Sequence, residues 1–130
     1  MKVLALDYGS ARTGVAVSDP TGTLARPVCV VRTVGTAKGL AHLVKVIGEQ
    51  EPERIVVGLP LTLRGEHGAQ AQETERFVET LRAAVAVPIE TYDERFTTAL
   101  AVRGGGRPGE DARAAAHLLE SYLQWAAGRS

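Results

Sequence analysis

Apolar residues follow two different rhythms along this chain. Residues 2–7 form a short apolar run closed by Asp7, the pattern of a strand buried on both faces, and after a Gly9-Ser10 break residues 14–18 read as a second strand. Asp19-Pro20-Thr21-Gly22 is a dense turn signal, and the β-branched run 27–31 makes a third strand, so the chain opens as a meander. The period then changes. Between residues 35 and 50, Leu40, Leu43, Val44 and Ile47 recur at helical spacing with Lys45 and Glu49 opposite them, which predicts an amphipathic helix ended by Pro52. Residues 54–58 predict a short apolar strand, 59–68 a polar loop holding Pro60, Gly65 and Gly68, and 69–84 a second helix with Phe77, Val78 and Leu81 inward. Residues 88–92 predict a fifth strand running into Asp93-Glu94-Arg95. Beyond it, 97–102 reads as a short helix, 103–110 as a glycine-rich loop, and 111–126 as a closing alanine-rich helix.

This order predicts an α/β fold built on a five-stranded mixed sheet. Strands 1 to 3 form the antiparallel meander, and strands 4 and 5, reached through helices, run parallel to the first by right-handed crossovers. Residues 2–7 are then central. No internal repeat and no long linker divides residues 1–130, so one domain is expected. No apolar run reaches membrane-spanning length, and the first residues meet a charge too soon for a signal peptide, so a cytoplasmic protein without membrane contact is expected. Cys29 has no second cysteine to pair with and is read as a buried strand residue, while His42, His67 and His117 show no zinc spacing.

Charge adds a complication. The 15 basic and 15 acidic side chains cancel, so the strong positive charge common to nucleic-acid binders is missing. The basic residues are nevertheless mostly arginine, whose planar fork suits bidentate phosphate contacts.

The acids carry the candidate chemistry. Asp7 ends the first strand, Asp93 and Glu94 end the fifth, and Asp111 opens the last helix. In open parallel sheets, sites form beyond the carboxyl ends of strands, so these positions are expected to converge. Carboxylates gathered there repel one another unless cations are bound, and an all-oxygen donor set suits Mg²⁺ or Mn²⁺, which support phosphodiester hydrolysis. Each acid also has a plainer reading: a turn former at Asp7, a helix cap at Asp111, and a surface salt bridge within Asp93-Glu94-Arg95. Strand alternation leaves open which of Asp93 and Glu94 faces the site, with Glu94 preferred as ligand and Asp93 as its support.

Four segments then point to one family. Asp7-Tyr8-Gly9-Ser10-Ala11-Arg12-Thr13-Gly14-Val15-Ala16-Val17-Ser18-Asp19, Val57-Gly58-Leu59-Pro60 with Gly65 and Gly68, Asp93-Glu94-Arg95-Phe96-Thr97-Thr98, and the helix from Asp111 to Leu123 resemble, in order, the motifs of the YqgF family, also called RuvX. Phe96 stands where leucine is common, and Arg107-Pro108-Gly109-Glu110 lacks the lysine-rich run of many relatives. The resemblance implies an RNase H-like fold related to the RuvC resolvases and a nuclease that matures the 5′ end of precursor 16S ribosomal RNA. It also implies metal binding by Asp7, an acid of Asp93-Glu94, and Asp111.

Around that centre, Gly9 and Gly14 are expected to let the first loop turn tightly and approach phosphate, with Arg12 projecting from it. Arg64, Arg95 and Arg107 are further candidates for substrate phosphates, and Thr62 and His67 are possible donors in the 59–68 loop. Ala114 and Ala115 have little bulk, so the last helix can lie close to the sheet and carry Asp111 toward Asp7. The expected partner is nucleic acid, RNA ahead of branched DNA, in the setting of ribosomal precursor particles; the oligomeric state stays open. Three alternatives remain: a Holliday junction resolvase, a binding module that cuts nothing, and an actin-like ATPase, whose Asp-x-Gly-Ser phosphate motif the opening also resembles but whose two lobes exceed this length.

Overall fold

A computed structural model describes residues 1–62, 64–96 and 110–128. The strands are β1 (Val3–Asp7), β2 (Arg12–Ser18), β3 (Ala25–Arg32), β4 (Arg54–Leu59) and β5 (Ile89–Asp93). The helices are α1 (Ala37–Gln50), α2 (Ala69–Ala84) and α3 (Glu110–Ala127), with a 3₁₀ turn at Glu94–Phe96 after β5. The sheet order is β3-β2-β1-β4-β5. β1 pairs antiparallel with β2 and parallel with β4, and β4 pairs parallel with β5, as the expected meander and crossovers require. The expected helix at 97–102 and most of the glycine-rich loop lie outside the described residues.

Alternation along the strands divides the core into two layers. Leu4, Leu6, Val15, Ile55 and Val57 face one way and meet Leu43, Val46 and Ile47 of α1 and Phe77, Val78 and Leu81 of α2. Val3, Ala5, Ala16, Val56 and Tyr92 face the other way and meet Ala115, Leu118, Leu119 and Tyr122 of α3. Both faces of the central strands are therefore buried, which is why β1 and β4 read as unbroken apolar runs. Small residues carry the α3 layer: Ala112, Ala114, Ala115 and Ala116 are all buried.

Local chemistry sets the connections. Asp19 Oδ1 accepts from the backbone N–H groups of Thr23 and Leu24 and closes the β2–β3 turn. The Thr36 hydroxyl caps α1 by accepting from Gly39 N at 3.0 Å. Two sequence expectations need correction. Cys29 lies on β3 but is only partly buried, because β3 is an edge strand; the same edge position tolerates Pro27, which has no N–H to contribute to a ladder. On α1 the buried apolar side chains are Leu43, Val46 and Ile47, with Leu40 and Val44 at the margin of the stripe.

Candidate active site

Asp7 closes β1 in register with Gly14 of β2. Val3 and Ala5 pack toward α3, so the period of two turns Asp7 to the same face. Tyr8 goes the other way, stacking on Phe77 with ring centroids 4.6 Å apart. Burial, together with a hydrogen bond to Glu73, pushes the Tyr8 phenol up to about 12. That anchor holds the chain just past Asp7.

Two glycines bring the other acids to Asp7. A Cβ at Gly14 would lie 1.9 Å from the Asp111 carbonyl oxygen, so the absence of a side chain there lets the first turn of α3 rest on β2. Gly58 follows Val57, the register partner of Leu6, and so stands beside Asp7 on β4. A Cβ at Gly58 would lie 2.5 Å from Glu94 Oε1, so the Glu94 carboxyl fills the space above that glycine. Asp7, Glu94 and Asp111 thus share the α3 face at the carboxyl ends of β1 and β5. Asp7 is 6% exposed and Glu94 3%. Burial, with the Asp93 charge adding to it, pushes the Glu94 carboxyl up to about 7.

Asp93 does not join them. It follows Tyr92, which packs toward α3, and so emerges on the opposite face. There it accepts from Arg95: the backbone N–H reaches Oδ1 at 2.9 Å, and Nη2 reaches Oδ2 at 2.7 Å. These hydrogen bonds hold the Asp93 carboxyl below its ordinary range. The salt-bridge reading therefore fits Asp93, while Glu94 takes the inward position.

Two of the predicted cations, Arg12 and Arg95, are engaged by nearby acids. Arg12 Nε lies 3.2 Å from Asp111 Oδ2. Asp111 sits inside the first turn of α3, which begins at Glu110, rather than capping it. Its Oδ2 is buried and makes no hydrogen bond of good geometry, leaving a lone pair for a cation. Arg95, held by Asp93, also lies against Gly65, where a Cβ would come within 3.2 Å of Nη1. The β4–α2 loop is tied to itself, with Gly65 N donating to Thr62 O at 2.8 Å and the Thr62 hydroxyl accepting from Glu66 N at 3.0 Å. His67 pairs with Glu75 across 2.8 Å, and Arg64 is exposed. The close approach at Gly9 is to the Arg12 carbonyl, 2.4 Å from where a Cβ would sit. Arg107 lies outside the described residues.

Among the described residues no three His, Cys, Asp or Glu side chains stand close enough to enclose one ion. Mg²⁺ is ordinarily held by one or two carboxylates with water completing its shell, so this donor set still fits a hard cation. In the sequence Gly58 stands out only as part of the Val57-Gly58-Leu59-Pro60 motif. Its signal was a glycine at the end of a buried apolar strand, a position where close approach of another group is the usual reason.

A model of the RuvX family, described as Holliday junction resolvase, matches residues 1–125. The chain belongs to the RuvX family. A relative from Chloroflexus aurantiacus, named as a candidate pre-16S rRNA nuclease, is 38% identical over 130 residues, covering 93% of this chain and 85% of its own. One of the same name from Rubrobacter xylanophilus is 45% identical over 135 residues, covering 98% and 95%. Among solved structures, T. thermophilus RuvC in complex with a Holliday junction substrate aligns with TM-score 0.62 at 22% identity, covering 100% of this chain and 98% of that one. The fowlpox virus resolvase with junction DNA aligns at TM-score 0.61 and 10% identity, covering 97% and 99%. At those identities the likeness is one of fold: the chain shares the RNase H-like architecture of these structures. By family the chain is a nuclease, and so a hydrolase.

The glycine beside Asp7 gives a direct test of the site. Gly58→Ala must displace the buried Glu94 carboxyl, and a shift of about 1 Å costs on the order of a hundredfold in rate. Nuclease assays beside circular dichroism should show that loss in a folded protein; unchanged activity would detach Glu94 from the chemistry.

Proposed function

We propose that this RuvX protein is a metal-dependent nuclease that hydrolyses phosphodiester bonds in RNA and matures the 5′ end of precursor 16S ribosomal RNA, within ribosomal precursor particles. The observation carrying the reading is the trio of Asp7, Glu94 and Asp111 on one face, with Gly58 and Gly14 admitting the two neighbours of Asp7. The relatives named for pre-16S rRNA favour RNA as substrate. The family description and the RuvC-like fold favour branched DNA as the second reading.

Asp7, Glu94 and Asp111 are the residues that would hold Mg²⁺ or Mn²⁺, one or two of them to each ion with water completing its shell. When bound, such an ion supplies Lewis-acid polarisation of a phosphoryl oxygen and an activated water. The chain's own part is to place and balance charge. Gly58 and Gly14 fix where the acids stand, Arg12 offsets Asp111, and Arg95 keeps Asp93 on the far face. Burial pushes the Glu94 carboxyl up to about 7 when no cation is bound, and a bound cation would favour its ionised form.

Comparing neighbours tests the assignment. Glu94→Gln should abolish cutting of a precursor 16S RNA, whereas Asp93→Asn should lower it by no more than about tenfold, through a looser Arg95 turn. The opposite ranking would transfer the ligand role to Asp93. Chelator should stop the wild-type reaction, and Mg²⁺ or Mn²⁺ should restore it where Zn²⁺ does not. A four-way DNA junction cut faster than the RNA under the same conditions would select the second substrate.

A further inference from the structure

Two grooves follow the edge strand β3 and meet near its carboxyl end. One, about 450 Å³, opens beside Arg12 and runs over Pro27, Val30 and Ala112 to Arg32. The other, about 560 Å³, lies between β3 and α1 and holds Arg32, Lys38 and His42. Val30 and Arg32 line both, so the two adjoin at these residues, and among the described residues no acidic side chain lines either groove.

The fold builds this path deliberately from the backbone up. Arg12 and Arg32 are register partners on β2 and β3, and Arg12, two residues before Gly14, lies on the face of Asp7. After Arg32 the chain turns at Thr33, whose φ of 44° is in the left-handed region. α1 then seats directly against that turn, because a Cβ on Gly39 would stand 1.9 Å from the Thr33 carbonyl oxygen. That contact sets Lys38 and His42, one helical turn apart, beside Arg32. Edge strands often carry charge to block pairing with other chains, but that function calls for no cations on the neighbouring helix and no groove between them. Arg12 at the head of the path is balanced by Asp111, but in a chain of zero net charge the further run of Arg32, Lys38 and His42, with no acid among the described lining residues, is a local field suited to a polyanion.

We propose that this path carries the phosphodiester backbone of the substrate strand away from the scissile position, across the end of β3 and onto α1. Arg32 and Lys38 contact phosphates, His42 donates a hydrogen bond, and Pro27, Val30 and Ala112 give bases an apolar floor. The proposal rests on the nuclease reading and adds a binding surface to it. A single RNA strand and an arm of a DNA junction share the chemistry that the path recognises.

Binding measured in an Asp7→Asn background separates the two readings. Arg32, Lys38 and His42 are exposed, so replacing all three by Ala should leave the core intact. On a single-stranded RNA of about 20 nucleotides we expect at least tenfold weaker binding, and a salt slope shallower by about 1.4 for two lost phosphate contacts. Arg76→Ala on α2, away from the path, should change neither. An effect on a four-way DNA junction but not on RNA would assign the path to DNA. If the triple variant binds both with parental affinity and slope while the wild-type protein cuts, the path is overturned and the nuclease reading stands. If the Asp7→Asn parent binds neither and the wild-type protein cuts neither, both fail.

Discussion

An Asp7→Asn protein should fold, bind RNA and cut it at least about a thousandfold more slowly than wild type, since several kcal/mol of charge stabilisation go with the carboxylate. The amide keeps the shape and most of the hydrogen-bonding capacity of the acid, so the 6% exposed position stays filled and the β1–β2 register has no reason to move. What disappears is the negative charge at the centre of the trio. Single-turnover cleavage of a precursor 16S RNA measures the loss, and a parallel binding assay shows that it is not a loss of affinity. Cutting at the wild-type rate by Asp7→Asn, or by chelator-treated wild type, would overturn the metal-dependent reading, and a wild-type protein that binds RNA without cutting it would be a binding module.

Glu94→Gln should show the second large effect, this time on stability. The buried Glu94 carboxyl titrates near 7 in the folded protein against an ordinary 4.5, so the folded state binds this proton more tightly than the unfolded chain does. Stability from this group is therefore greatest below about pH 4.5, declines as pH rises, and is lost once pH passes about 7. Glutamine has no such proton. Above pH 7, in chelator, Glu94→Gln should be more stable than wild type by about 3 kcal/mol, and the two should converge near pH 4. Urea titrations at several pH values measure the difference. Millimolar Mg²⁺ should raise wild-type stability above pH 7 and leave Glu94→Gln and Asp7→Asn nearly unchanged, because each lacks one of the charges that would hold the ion. Equal pH profiles for Glu94→Gln and wild type would mean that Glu94 is not desolvated as the structure places it.

A carboxyl held against Gly58 costs stability in the absence of a counter-charge, and Asp93, pinned by Arg95 on the other face, adds to that cost through its own charge. The position of Glu94 is unfavourable for the metal-free fold, and on the proposed metal-dependent reading that cost is the counterpart of cation capture.

Among the described residues, patterning by itself settled the five strands, the three long helices and their order. Unbroken apolar runs marked β1 and β4 as buried on both faces, the Asp19-Pro20-Thr21-Gly22 cluster marked the turn, and the stripe of Phe77, Val78 and Leu81 marked the buried face of α2, because burial imposes period on local sequence. The motif resemblance then named the acids and the family. Which of two adjacent acids turns inward was a different kind of question. Asp93 and Glu94 differ by one step along a strand, and only the Gly58 register and the Arg95 contact separate them. The same holds for Arg12, whose partner Asp111 is distant in sequence and reaches it through the contact of α3 with Gly14. Arg32, Lys38 and His42 show no spacing that reads as a site, because they come from a strand and a helix joined by a turn, and they become neighbours only when Gly39 seats against Thr33. Periodicity reports which face of an element is buried; which side chains of different elements meet is decided by close backbone approaches that only the folded chain makes.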